Sequence, residues 1–117
     1  MTVGNHEFDD GEAYLTKFLK SLDFPIVNSN IDMETTNHLG KSGVLRPYHV
    51  FEKYNLGVIG FITNTTAGLS PGATHIKFLD PVDVVQGYID ELHALGVRRI
   101  VCVSHNGYKE DQYLARK

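Results

Sequence analysis

Residues 80–103, DPVDVVQGYIDELHALGVRRIVCV, hold a helix with its own start and stop signals and a strand directly behind it. Asp80 stands where a carboxylate caps the first turn. Pro81 takes the first helical position, where no N–H is needed, and Asp83 puts negative charge near the positive end of the helix dipole. Val82, Val85, Ile89 and Leu92 recur at helical spacing and predict one apolar stripe over 80–96. Gly96 is the stop, because a helix commonly ends on a residue in the left-handed conformation. Val97–Val103 then reads as a strand, apolar apart from Arg98 and Arg99, and its dense second half predicts cover on both faces. A helix feeding straight into such a strand is a unit of layered α/β folds.

Working outward, the same signals recur. Thr2 and Val3 form a short β-branched stretch ahead of a helix over Glu12–Leu22, where Leu15, Phe18, Leu19 and Leu22 fall on one face. Asp9 and Asp10 sit where N-cap and first-turn acids belong. Pro25 ends that pattern, and 24–27 reads as a short buried strand. Residues 30–45 are polar, without periodicity, and read as a surface loop. A hairpin follows: strand 47–53, turn at Tyr54-Asn55, strand 56–62. Residues 63–75 form a second loop, in which Asn64-Thr65-Thr66 fits the short N-glycosylation pattern. Residues 109–117 read as the opening turns of a helix cut short by the chain end. The order is β-α-β, loop, β-β, loop, α-β-(α), an α/β fold occupying 1–117 as one piece of one domain, with no repeat and no linker.

Composition narrows the function. The chain has 117 residues, 42% apolar and 21% charged, with a net charge of −3. That suits one hydrophobic core and offers neither the basic footprint of a nucleic-acid binder nor a polybasic lipid patch. No apolar run reaches the ~18 residues of a membrane span, and the N-terminus lacks a charged-then-apolar leader. The single cysteine, Cys102, cannot form an intrachain disulfide. Inside an apolar run it reads as a buried, inert thiol.

Chemistry concentrates in two segments, Gly4-Asn5-His6-Glu7-Phe8-Asp9 and Ser104-His105-Asn106-Gly107. Each follows a strand and precedes a helix, and ligands of α/β sheets collect beyond the carboxyl ends of strands. If both strands are parallel members of one sheet, the loops converge. The Asn5 amide oxygen and a His105 ring nitrogen then meet at one metal ion, His6 is free for proton transfer, and Asp9 holds its ring in one tautomer. Glu7 reads as structural or solvent-facing and His93 as solvated, while His38, His49 and His75 lack motif context. Asn28 and Asn30 suit either the rim of a site or a turn. Gly57 and Gly60 read as strand-packing residues, because the Lys and Ser/Thr of a phosphate loop are missing.

These blocks, with Phe24-Pro25-Ile26-Val27-Asn28-Ser29-Asn30, Gly57-Val58-Ile59-Gly60-Phe61-Ile62-Thr63, Tyr108, Asp111 and Leu114-Ala115, resemble the 5′-nucleotidase family of calcineurin-like metallophosphoesterases in order and approximate spacing. The resemblance implies part of an α/β/β/α sandwich, incomplete at both ends. It implies a hydrolase that cleaves nucleoside 5′-monophosphates at two divalent metal ions, with no choice among Zn, Mn, Fe and Co. Asn5 and His105 would be metal ligands, His6 the catalytic histidine that stabilises the phosphoryl group or protonates the leaving oxygen, and Asp9 its partner. Cyclic nucleotides and nucleotide-sugar pyrophosphates are alternative substrates. The family is largely secreted or surface-bound.

The family's Asp-x-His and bridging Gly-Asp motifs have no match here, its Gly-His-x-His motif would fall after Lys117, and its second domain is missing. Met1 would then be an internal methionine. Two divalent ions ~3.5 Å apart repel by about 19 kcal/mol at an effective dielectric of ~20, and Asn5 and His105 are neutral. The expectation is an inactive truncated chain or a non-catalytic binding piece, marginally stable and prone to associate through exposed strand edges.

Overall fold

The computed structural model describes all residues from Met1 to Lys117. A 3-10 turn over Asn5–Phe8 leads into α1, Glu12–Lys20, then β1, Ile26–Val27, a second 3-10 turn over Met33–Thr35, and α2, Leu39–Ser42. β2, Leu45–Arg46, and β3, Tyr48–Phe51, precede β4, Leu56–Ile62. α3, Thr66–Leu69, and a 3-10 turn over Pro71–Ala73 lead to α4, Pro81–Ala94, then β5, Arg99–His105, and α5, Tyr108–Leu114.

β1 and β2 pair in parallel, and a second sheet has the order β3-β4-β5. β3 and β4 form the expected hairpin, antiparallel from Tyr48↔Ile59 to Phe51↔Leu56, turning through Asn55 at φ 47°. β4 and β5 run parallel from Leu56↔Arg99 to Ile62↔His105, so both end at one edge of the sheet. The sheets join where the Ser29 N–H donates to the Gly60 carbonyl at 2.7 Å. A Cβ at Gly60 would overlap the Val27 carbonyl, and one at Gly57 would press on Leu92 and Val97. Both glycines therefore serve close packing.

β4 divides the interior. Ile59 and Phe61 face α4, packing with Val85, Leu92 and Val97. Ile62 faces the other way, into a larger core of Val3, Phe8, Leu15, Leu19, Ile26 and their neighbours. Alternation along a strand produces this split. The layered α/β arrangement agrees with the expected fold class.

α4 follows its signals closely. Asp80 accepts from the Val82 N–H at 2.9 Å, and Pro81 opens the helix. Past its end, the Gly96 N–H donates to His93 and the Val97 N–H to Leu92, with Gly96 at φ 84°, a Schellman closure.

Several expectations need correction. The N-cap of α1 is Gly11 at φ 90°, while Asp9 closes the preceding 3-10 turn. Phe18 and Phe24 are exposed, so the buried part of 24–27 is Ile26-Val27. Thr2 and Val3 are not a regular strand; the backbone runs beside β1 through the two hydrogen bonds of Met1 alone. Residues 30–45 are not a bare loop, since Asn30, Ile31 and Leu39 are buried and carry short elements. Residues 63–75 likewise contain α3 and a 3-10 turn, with Thr66 buried beside exposed Asn64. β5 begins at Arg99 and is an edge strand with Val101 47% exposed, not a strand covered on both faces. Cys102 is exposed rather than buried. Its thiol pKa is still held above the usual range, by desolvation first and then by the charge of Asp111.

Candidate active site

Phe8 sets the first half of the site. Its ring is fully buried and meets Phe78 edge to face at 5.6 Å. With Phe8 inward, the tight 3-10 turn leaves His6 outward and exposed. The Gly4 N–H donates to the Glu7 carboxylate, closing the turn on itself. Glu7 is thus a capping residue on the surface, as its sequence context suggests.

Asp9 then folds back. Its Oδ2 lies 2.8 Å from His6 Nδ1, and its Oδ1 accepts from Ser70 Oγ at 2.8 Å. The bond to Asp9, followed by that carboxylate's charge, raises the His6 pKa. The bond from His6, then that from Ser70, lowers the pKa of Asp9. A histidine held at Nδ1 by a carboxylate keeps Nε2 facing solvent, the arrangement a proton donor or acceptor needs.

The second half arrives from the far end of the chain. His105 closes β5, and its Nε2 lies 2.9 Å from Asn5 Oδ1 across 100 positions of sequence. The His105 ring lies over Gly4: a Cβ there would stand 3.0 Å from both Cε1 and Nδ1. A side chain there would push the ring aside by a few tenths of an ångström. Beside it, Ser104 Oγ donates to Asp111, both carboxylate oxygens lying at 2.7 Å, and ties the start of α5 to the end of β5.

Asn5, His6, Asp9 and His105 are therefore brought together at one edge of the sheet. Asn28 and Asn30 are buried rather than exposed at its rim, although Asn30 binds Ile62, the strand partner of His105. Asn30 is wholly buried; its amide donates to the Ile62 and Leu79 carbonyls and accepts from the Ile62 N–H. Ser70 escapes sequence reasoning, since a serine before Pro-Gly reads as a turn. Glu12 and His75, joined at 2.8 Å, escape it as well.

No cluster of three or more His, Cys, Asp or Glu side chains able to hold a metal ion occurs in the chain. No helix is long and apolar enough to cross a membrane.

No protein-family profile matches the chain. Individual proteins do. The chain is 38% identical along its whole length to a snake venom 5′-nucleotidase of Crotalus adamanteus, of which it covers 20%. The 5′-nucleotidase precursor of Thermus thermophilus superposes on 99% of the chain with a TM-score of 0.90 and 41% identity, and the chain covers 23% of it. A calcineurin-like phosphoesterase of Bacillus subtilis superposes on 92% of the chain with a TM-score of 0.72 and 26% identity, with 34% of that protein covered. The chain spans about a fifth of the length of the curated relatives it matches. Over that span it is similar in sequence to 5′-nucleotidases and has the fold of a segment of the calcineurin-like phosphoesterases.

Proposed function

We propose that the chain supplies the proton-handling histidine and two cation donors of a metal-dependent phosphoric ester hydrolase acting on nucleotides. The observation that carries this reading is the 2.9 Å approach of Asn5 Oδ1 to His105 Nε2, beside a His6 already paired with Asp9. The similarity to 5′-nucleotidases supports the nucleotide substrate.

The donor pair passes a simple test of fit. An oxygen and a nitrogen, each ~2.1 Å from one cation, stand about 3 Å apart at adjacent corners of an octahedron and about 3.4 Å apart at those of a tetrahedron. Asn5 Oδ1 and His105 Nε2 have the octahedral spacing, and their chemistry suits a borderline divalent metal. A divalent ion bound there would supply charge stabilisation and an activated water.

His6 has a separate task. Asp9 accepts its Nδ1–H, so proton gain and loss occur at the outward Nε2. Facing a phosphate, a charged His6 stabilises the equatorial oxygens and can protonate the leaving alkoxide. Asp9 keeps the ring in place through that exchange.

Both donors are neutral, and no three-residue cluster of His, Cys, Asp or Glu backs them. That observation favours a second reading, in which the chain alone binds metal weakly and is catalytically silent. Titration calorimetry with manganese or zinc, followed by phosphate release from AMP, tests both. Weak binding lost in Asn5→Ala and His105→Ala supports the donor assignment. AMP turnover that vanishes in His6→Ala supports a working hydrolase. Metal binding indifferent to both donor variants overturns the assignment, and two tight sites per chain refute weak binding.

A further inference from the structure

We propose that Ser70 is a positioning residue for the His6–Asp9 pair, and that the turn from Ser70 to Ala73 is the buttress that holds it. The inference deepens the hydrolase reading above and rests on it for the role of His6.

Asp9 is 45% exposed in its side chain and follows a single-turn 3-10 helix. An exposed aspartate has a broad, weakly restrained terminal torsion. Left alone, it would present either oxygen, or neither, to His6. Here both oxygens are committed to different partners: Oδ2 to His6 Nδ1 and Oδ1 to the Ser70 hydroxyl, each at 2.8 Å. Two bonds on opposite oxygens of a planar group fix its rotation.

Ser70 is itself immobile. It is 1% exposed. Its N–H donates to the Thr66 carbonyl at 3.0 Å, and its carbonyl accepts from the Ala73 N–H at 3.1 Å. With the hydroxyl as well, its polar groups are all engaged, and the bond to Asp9 crosses 61 positions of sequence.

A second observation places the same turn against the same pair. A Cβ at Gly72 would overlap the Phe8 carbonyl and crowd Gly11 N at 2.7 Å. Gly72 therefore brings the backbone of the 70–73 turn flush against the segment 8–11 that carries Asp9. Ala73 and Phe8, both fully buried, share one core. The turn supports Asp9 from behind through backbone packing and steers it through one hydroxyl.

The consequence lies in the neutral imidazole. A fixed Asp9 oxygen accepts only from Nδ1–H, so neutral His6 carries its proton on Nδ1 and leaves an unprotonated Nε2 toward solvent. A freely turning Asp9 lets the ring return to the Nε2–H form that free histidine favours.

Ring nitrogen chemical shifts, read by long-range ¹⁵N–¹H correlation on the full chain without metal at about pH 9, where an imidazole is neutral, test this directly. The expected result is an Nδ1–H majority for His6 in the wild-type chain, its loss in Ser70→Ala, and its retention in Ser70→Thr, which keeps the hydroxyl. Ser70→Cys, close in size and a far weaker donor, is read in the same way if the alanine variant does not fold. An Nε2–H majority in the wild type, or an unchanged Nδ1–H majority in the variants lacking the hydroxyl, overturns the proposal. The readout needs neither substrate nor metal. A chain that hydrolyses no nucleotide under any condition counts against the hydrolase reading and leaves this result standing on its own.

Discussion

The buried carboxylate of Glu12 ties α1 to the backbone of the 37–39 segment, and Glu12→Gln should undo that tie. Glu12 is 4% exposed. Its Oε2 accepts from the Asn37 N–H at 2.9 Å and lies 2.8 Å from His75 Nε2. Its Oε1 accepts from the N–H groups of His38 at 2.5 Å and Leu39 at 2.6 Å. Those N–H groups open α2, whose N-cap, His38, gives no side-chain cap. Burial by itself would raise the pKa of Glu12, but the bond from Asn37 and then those from His75, Leu39 and His38 outweigh it and bring the group from 4.5 to about 2. A pKa lowered by folding stabilises the native state above the unfolded value, so the contribution is complete above pH 4.5 and drains away as pH falls toward 2. At 1.36 kcal/mol per pH unit the gap is worth about 3 kcal/mol. Glutamine keeps the shape, removes the charge, and turns one oxygen into an N–H donor facing N–H donors. The expected cost at pH 7 is about 3 kcal/mol, read as a urea midpoint lowered by roughly 1–3 M. Between pH 5 and 2.5, taken as about the acid window of this linkage, the difference between the two proteins should shrink. A Glu12→Gln chain within about 0.5 kcal/mol of wild type at pH 7, or one with an undiminished acid slope, would refute the reasoning.

Asn30→Ala removes two bonds to the Ile62 backbone and one to Leu79 in a fully buried place; urea unfolding should show a loss of about 3 kcal/mol or more. Gly4→Ala puts a methyl group 3.0 Å from the His105 ring, so manganese affinity by calorimetry should fall severalfold while the melting temperature moves by only a few degrees. Val101→Lys places a charge on the edge strand β5, where Val101 is 47% exposed; light scattering should report less self-association at equal concentration.

What was legible in the sequence was what local chemistry specifies. Asp80, Pro81 and Gly96 each act within a turn of themselves, and α4 accordingly begins and ends close to where they place it. The β3–β4 hairpin was legible for the same reason, its turn needing only Asn55 in the left-handed region. Residues 30–45 were not, because their order comes from a distance: the Glu12 carboxylate organises 37–39, and the Asn30 amide clasps β4. The apolar run in β5 predicts cover on both faces, but period and composition cannot state which strand lies at an edge. β5 also starts two residues later than expected, since Val97 completes the Schellman closure and packs with Leu92.

The candidate site divides along the same line. Asn5, His6, Asp9 and His105 stand out in the sequence as candidates because a proton carrier or a metal donor must be of a given chemical type, and type is what a sequence displays. Their supports do not, because support depends on position. Asn5 and Asn30 make the contrast within one residue type. Asn30 is sealed in the interior with its oxygen and its amide hydrogens each given to backbone, so its bonds hold the fold and exchange for nothing. Asn5 offers its oxygen to one imidazole nitrogen at the rim of the sheet, where a cation can replace that single hydrogen bond without leaving a buried partner unsatisfied. Whether a polar side chain builds the fold or serves the chemistry is therefore decided by what would be stranded if its bond were exchanged. That is a property of the folded neighbourhood, and Ser70 lies on the boundary: its backbone is locked into the core while its hydroxyl reaches out to an exposed carboxylate.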